Sequence, residues 1–331
     1  NIFLRFIMYI IRLMGGLGNQ MFQYAAAYIA AKNNDQELKI DNLYYRDKSS
    51  RLHRFEYRPY ALSLFNDMEK HIASPMDINR FILPRIFSKY IYHILKYLHP
   101  SKCVYDDIKL NTYDKLINIP TKDAYITGYF QKYEYIKKNV NYLRRVFQFK
   151  DELPSSYAEI VSEIKGEQNA VCVVFRRGDY VNHPVLGIVG LDFYYKAINL
   201  LKTQICNPVF FVFSDDIPWC KENFNLQNES IYFVDQKYTG PFAGNYLQLM
   251  MLCSHFIIPN STYPYWAALL SEDNPKKIVI APKIWYKGQT DERNVGNTGA
   301  DGRIESKRHD EMGTADEQSA QRSAGDSYSA D

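Results

Sequence analysis

Apolar residues along the chain are spaced in a way that predicts a layered α/β protein. Five short runs are apolar almost without interruption: residues 170–175, 208–213, 231–234, 255–258 and 277–280. Unbroken runs of this length fit strands of a parallel sheet covered on both faces, because a strand with one wet face alternates polar and apolar positions. Residues 192–204, 218–223, 246–253 and 265–270 lie between these runs and read as helices. Residues 151–286 are therefore expected to form a doubly wound domain, with ligands bound beyond the carboxyl ends of its strands. Nearer the N-terminus, residues 9–14 read as a strand, 15–18 as a glycine turn and 19–32 as an alanine-rich helix. They open a first α/β domain over residues 1–150. The apolar stretch of residues 1–14 is interrupted by Arg5 and Arg12 and runs into the glycine turn, so it suits a buried strand better than a membrane span. Residues 41–120 mix polar, aromatic and basic positions. Within them, residues 80–102 predict a basic-aromatic amphipathic helix broken at Pro84, a composition that suits a cap over a cleft or peripheral contact with a membrane surface.

Composition divides the chain again. Its 331 residues carry 40 Lys plus Arg and 37 Asp plus Glu, a net charge of +3 that hides two unlike parts. Residues 287–331 hold six basic and ten acidic residues, which leaves 34 and 27 in residues 1–286: a body of +7 and a tail of −4. The tail has few large apolar side chains, so disorder is expected over residues 287–331. A body charge of +7 is modest for this length and no recognition module appears, so nucleic acid is not an expected partner. The five cysteines are scattered without a CxxC pair, which fits reduced thiols in a cytoplasmic protein and gives no metal site.

Candidate chemistry gathers where the predicted strands end. After the first strand of the second domain stand Arg176, Arg177, Gly178, Asp179 and Tyr180; after the second, Ser214, Asp215 and Asp216; after the fourth, Asn260, Ser261 and Thr262. Arginine binds a diphosphate through paired N–H groups, and a helix start rich in hydroxyls offers further donors to the same anion. Asp215 or Asp216 can accept from a guanine or from ribose hydroxyls. In the first domain Gly15, Gly16 and Gly18 do not complete a dinucleotide fingerprint, because Met21 stands where the third glycine belongs, and no lysine follows the turn as in a phosphate-binding P-loop. Hydride transfer and P-loop phosphotransfer are both disfavoured. Bare backbone here still allows close approach of a nucleotide or sugar, with Asn19 at the helix start.

Five segments in order carry a resemblance. Gly15-Gly-Leu-Gly-Asn-Gln-Met-Phe-Gln-Tyr-Ala25, Gly128-Tyr-Phe-Gln131, Arg176-Arg-Gly-Asp-Tyr180, Phe211-Val-Phe-Ser-Asp-Asp216 and Leu252-Cys-Ser-His-Phe-Ile-Ile-Pro-Asn-Ser261 are followed by Tyr263-Pro-Tyr-Trp266. The series, spanning about residues 8–286, resembles that of the alpha-1,2-fucosyltransferases of glycosyltransferase family 11. The resemblance implies a GT-B-like architecture of two Rossmann-like domains facing a cleft, with residues 1–150 on the acceptor side and 151–286 binding the donor. It also implies GDP-fucose as donor substrate, no cofactor or metal, and inverting transfer to the 2-hydroxyl of a galactose-terminated glycan. By position it places Arg176 on the donor β-phosphate with Arg177 beside it and Asp179 orienting that loop. Asp215 and Asp216 fall in the guanosine segment, Asn260, Ser261 and Thr262 at the phosphate-side helix start, and Gly18 with Asn19 at the first domain's donor contact.

Two departures accompany the resemblance. Val174 occupies the position where the first arginine motif usually has His, and the acidic tail follows Tyr286 where a closing segment is expected. His183 and Asp192, downstream of the arginines, are candidates for a general base. Rival readings are a GDP-fucose transferase of another linkage and a GDP-sugar-binding protein with weak turnover. The implied location is the cytoplasm, at or near the inner face of the membrane.

Overall fold

The computed structural model describes residues 8–46, 58–81, 104–106, 123–131, 136, 138–181, 187–283 and 306–308. The chain divides into two compact units, Asn1–Lys150 and Asp151–Asp331.

In the first unit, β1 (Met8–Arg12) leads into helix α1 (Leu17–Asn33) and β2 (Glu37–Asp41). Short helices α2 (Leu43–Arg46) and α3 (Pro75–Asn79), strands β3 (Val104–Asp106) and β4 (Ala124–Thr127), and helix α4 (Val140–Val146) follow. All four strands are parallel, in the order β2-β1-β4-β3. From β1 the chain first builds outward to β2 and then crosses to the other side, so the switch point lies between β1 and β4.

Polar side chains fix the turn between β1 and α1. Gln23 is buried, accepting from the Met14 N–H at 2.8 Å and donating to the Met14 carbonyl at 3.2 Å. Gln20, also buried, donates to the carbonyls of Gly15 and Pro59 and accepts from the Ala61 N–H. Gly15 has φ +75°, and a methyl group there would lie 2.8 Å from the Asn19 Nδ2. The conformation favours glycine, and an added methyl would also displace the Asn19 side chain. Within residues 41–120, α3 opens with a reciprocal Ser74–Asp77 cap and Pro75 in its first turn. The amphipathic helix predicted for residues 80–102 lies outside the described residues beyond Phe81. No helix among the described residues is long and apolar enough to cross a membrane.

The second unit runs α5 (Ala158–Gly166), β5 (Ala170–Phe175), α6 (Leu191–Lys202), β6 (Val209–Ser214), α7 (Ile217–Asn223) and β7 (Ser230–Phe233). It continues with α8 (Gly244–Met251), β8 (His255–Ile257), α9 (Thr262–Leu270), β9 (Ile278–Ile280) and β10 (Ser306–Arg308). Strand order is β10-β9-β8-β5-β6-β7, parallel except for β10, which runs antiparallel to β9. The chain steps from β5 to β6 and β7 on one side and then crosses to β8 and β9, so the switch point lies between β5 and β8. Every residue of β5 and β6 is buried, as their unbroken apolar runs require.

Two features depart from the pattern read in the sequence. Helix α9 starts three residues earlier than its expected 265–270 and takes in Pro264. Proline is tolerated in a first turn because the N–H it lacks has no partner inside the helix there. In the acidic tail, Ser306–Arg308 form a strand, an exception to the disorder expected over residues 287–331, and the rest of the tail lies outside the described residues.

Candidate active site

The register of β5 on β6 decides which side chains meet. Phe175 pairs with Ser214, so the residues that follow the two strands leave the sheet side by side. Arg176 Nη1 donates to Asp215 Oδ2 at 2.7 Å, and Arg176 Nη2 to Asp179 Oδ1. The Arg177 N–H donates to Asp215 Oδ1 at 2.8 Å, while its Nε reaches Asp216 Oδ2 at 3.3 Å. Asp216 also caps α7, accepting from the Trp219 N–H at 3.2 Å, and the Arg177 guanidinium lies 3.6 Å from the centre of the Trp219 ring. The arginine side chains are 25% and 18% exposed, open enough to reach a ligand and covered enough for the pairs to matter.

Tyr180 connects this cluster to the end of β8. Its ring centre lies 5.5 Å from the Arg176 guanidinium, its hydroxyl donates to the Asn260 carbonyl at 3.2 Å, and it also meets the Ser261 side chain. Burial pushes the Tyr180 hydroxyl above its ordinary pKa, with the Arg176 charge pulling the other way, so it stays a neutral hydrogen-bonding link. Asn260 donates to the Gly187 carbonyl at 3.1 Å. Ser261 is the N-cap residue of α9, and Thr262 is the first residue of that helix, whose positive end therefore faces the edge carrying Arg176.

The second unit thus brings together Arg176, Arg177, Asp179, Asp215, Asp216, Asn260, Ser261 and Thr262 beyond the ends of β5, β6 and β8, next to its switch point. Asp192 is not drawn in: it is exposed in the first turn of α6 and makes no hydrogen bond or ion pair among the described residues. His183 lies outside the described residues. Val174 is buried, and its carbonyl accepts from the Tyr194 hydroxyl at 2.9 Å.

Gly18 and Asn19 belong to the first unit, in the opening turn of α1. Asn19 Oδ1 accepts from Gln131 Nε2 at 3.0 Å, joining the residues that follow β1 and β4 at that unit's own switch point. Gly128, at φ +139°, and Phe130, at φ +51°, bend the chain so that Gln131 reaches Asn19.

Sequence reasoning missed several of these partners. Trp219 follows the Asp216 cap by three residues, so its place under an arginine was readable only once Asp216 was known to start a helix. Gln236, whose Nε2 donates to the Asp215 carbonyl at 2.8 Å, sits in a connection with no periodic signal. Of the described cysteines, Cys172, Cys220 and Cys253 are buried and Cys206 is exposed, and burial pushes the Cys220 thiol up to about 11.

A family model described as Glycosyl transferase family 11 matches residues 5–297. The chain belongs to that family. Among its relatives is the O-antigen biosynthesis glycosyltransferase WbnK of Escherichia coli, 31% identical over 83% of this chain and 94% of that protein. An alpha-1,2-colitosyltransferase of Escherichia coli is also 31% identical, over 83% of this chain and 91% of that one. In fold the chain is similar to the solved NodZ alpha-1,6-fucosyltransferase soaked with GDP-fucose, with a TM-score of 0.50 at 14% identity, covering 85% of this chain and 96% of that one. The family 11 chain is thus a glycosyltransferase with a GT-B-like α/β fold, and Arg176 stands in its second Rossmann-like unit.

Proposed function

We propose that this family 11 enzyme transfers L-fucose from GDP-fucose to the 2-hydroxyl of a galactose-terminated acceptor, forming an alpha-1,2 linkage with inversion during synthesis of a glycan or surface polysaccharide. The observation that carries the reading is the placement of Arg176, beyond β5 at the switch point, beside Arg177 and the start of α9. Departure of GDP leaves oxocarbenium character on the sugar and builds negative charge on the β-phosphate. A fixed guanidinium neutralises that charge where it develops, without a metal ion or cofactor. Arg177, Ser261 and Thr262 bind the rest of the diphosphate, and Asp179 holds the Arg176 side chain. In the first unit, Gly18 and Asn19 are assigned to donor contact by the family series, and acceptor binding is assigned to that unit. The reaction belongs to the cytoplasmic side of the membrane, where nucleotide sugars are made.

Incubation with GDP-fucose and a panel of galactose-terminated acceptors, followed by linkage analysis, tests the reading. The expected product is alpha-1,2-linked. Arg176→Ala is expected to lower turnover by about 100-fold or more while the protein stays folded; near-normal turnover would sink the assignment. The colitosyltransferase relative favours one second reading, transfer of colitose by the same site, which competition between the two GDP-sugars decides.

A further inference from the structure

We infer that Asp215 is a positioning residue for the donor's β-phosphate, acting through Arg176, and not a contact to the nucleoside. This rests on the donor reading above and deepens it. Both oxygens of the Asp215 carboxylate are engaged inside the protein: Oδ2 by Arg176 Nη1 at 2.7 Å and Oδ1 by the Arg177 N–H at 2.8 Å. Its carbonyl accepts from Gln236 at 2.8 Å, which anchors the backbone from the opposite side.

The turn after β5 is shaped around this carboxylate. A methyl at Gly178 would lie 2.7 Å from Asp215 Oδ2, so only glycine lets the carboxylate lie against the turn and still reach Arg176. Gly178 is thus a requirement of space. The neighbouring aspartates divide the work: Asp216 caps α7 and receives Arg177 Nε, while Asp215 and Asp179 grip Arg176 from two sides. A guanidinium held in this way is oriented before the donor arrives, so little reorganisation remains when charge builds on the leaving phosphate.

GDP and GMP separate the two roles. They share base, ribose and α-phosphate, and only GDP carries the phosphate assigned to Arg176. Calorimetry on the intact protein compares Asp215→Asn, Gly178→Ala and Arg176→Ala with wild type. Asp215→Asn is expected to weaken GDP by about tenfold or more while leaving GMP nearly unchanged. Gly178→Ala should act in the same direction, and it keeps the test alive if the aspartate variant folds poorly. Adding Asp215→Asn to Arg176→Ala should cost little further GDP affinity, because both remove one interaction. Equal loss of GDP and GMP, or altered preference for GDP over ADP, overturns the inference and returns Asp215 to the nucleoside. A folded wild-type protein that binds neither nucleotide overturns the donor reading, and the inference with it.

Discussion

Arg177 is constrained on the face of its guanidinium as well as at its edge. Asp216 accepts from Nε, and the Trp219 ring lies 3.6 Å away. A cation over a partly covered indole gains roughly 0.5–2 kcal/mol. Trp219→Ala should therefore weaken GDP by about 3- to 30-fold with the fold intact, and Trp219→Phe should recover part of it; calorimetry reads both. Arg176, Arg177 and the aspartates were legible because their spacing matches a known series. Trp219 and Gln236 were not, because each becomes a neighbour only through the register that sets Phe175 opposite Ser214. The series also put Asp215 in a guanosine segment. A linear motif records which residues accompany one another, and the structure shows that Asp215 faces an arginine.

Elements were most readable where burial is complete. The strands β5, β6 and β8 are wholly buried and fall within a residue or so of their apolar runs, since a sheet covered on both faces tolerates few polar side chains; β9 and the half-exposed edge strand β7 were also found by their apolar runs. Strand β2 escaped notice because its five residues include Glu37 and Lys39 and resemble a loop. Strand β10 gave no apolar signal at all: Ser306, Lys307 and Arg308 join through the backbone.

The ladder between β8 and β9 carries a titratable link. His255 is buried, and its Nδ1 accepts from the Ile278 N–H at 3.2 Å. Burial holds its pKa below the ordinary value, so the unfolded chain takes up the proton first. Stability from this residue is present above about pH 6.5 and is lost as pH falls below that value. The melting temperature should therefore drop between about pH 7 and pH 5, and His255→Asn, which keeps an acceptor that does not titrate, should flatten the decline. An unchanged slope in that variant would falsify the assignment to His255.

At the scale of the molecule, the candidate residues of each unit lie beyond the ends of its central strands: β1 and β4 in the first, β5, β6 and β8 in the second. The net charge of +7 on residues 1–286 is not mirrored at this site. Instead, Arg176 and Arg177 already face Asp179, Asp215 and Asp216, so the cluster as a whole is negative before any ligand enters. Long-range attraction from the cluster itself then contributes little to the capture of a diphosphate, which meets guanidinium groups already held in place. Ionic strength is the consequence. Salt screens exposed, unpaired charges most strongly, so wild-type affinity for GDP should fall only shallowly as salt is raised. In Asp215→Asn, where Arg176 loses one of its two counter-charges, the same titration should fall more steeply. The carboxylates that hold the arginines would thereby also make donor binding insensitive to the salt around it.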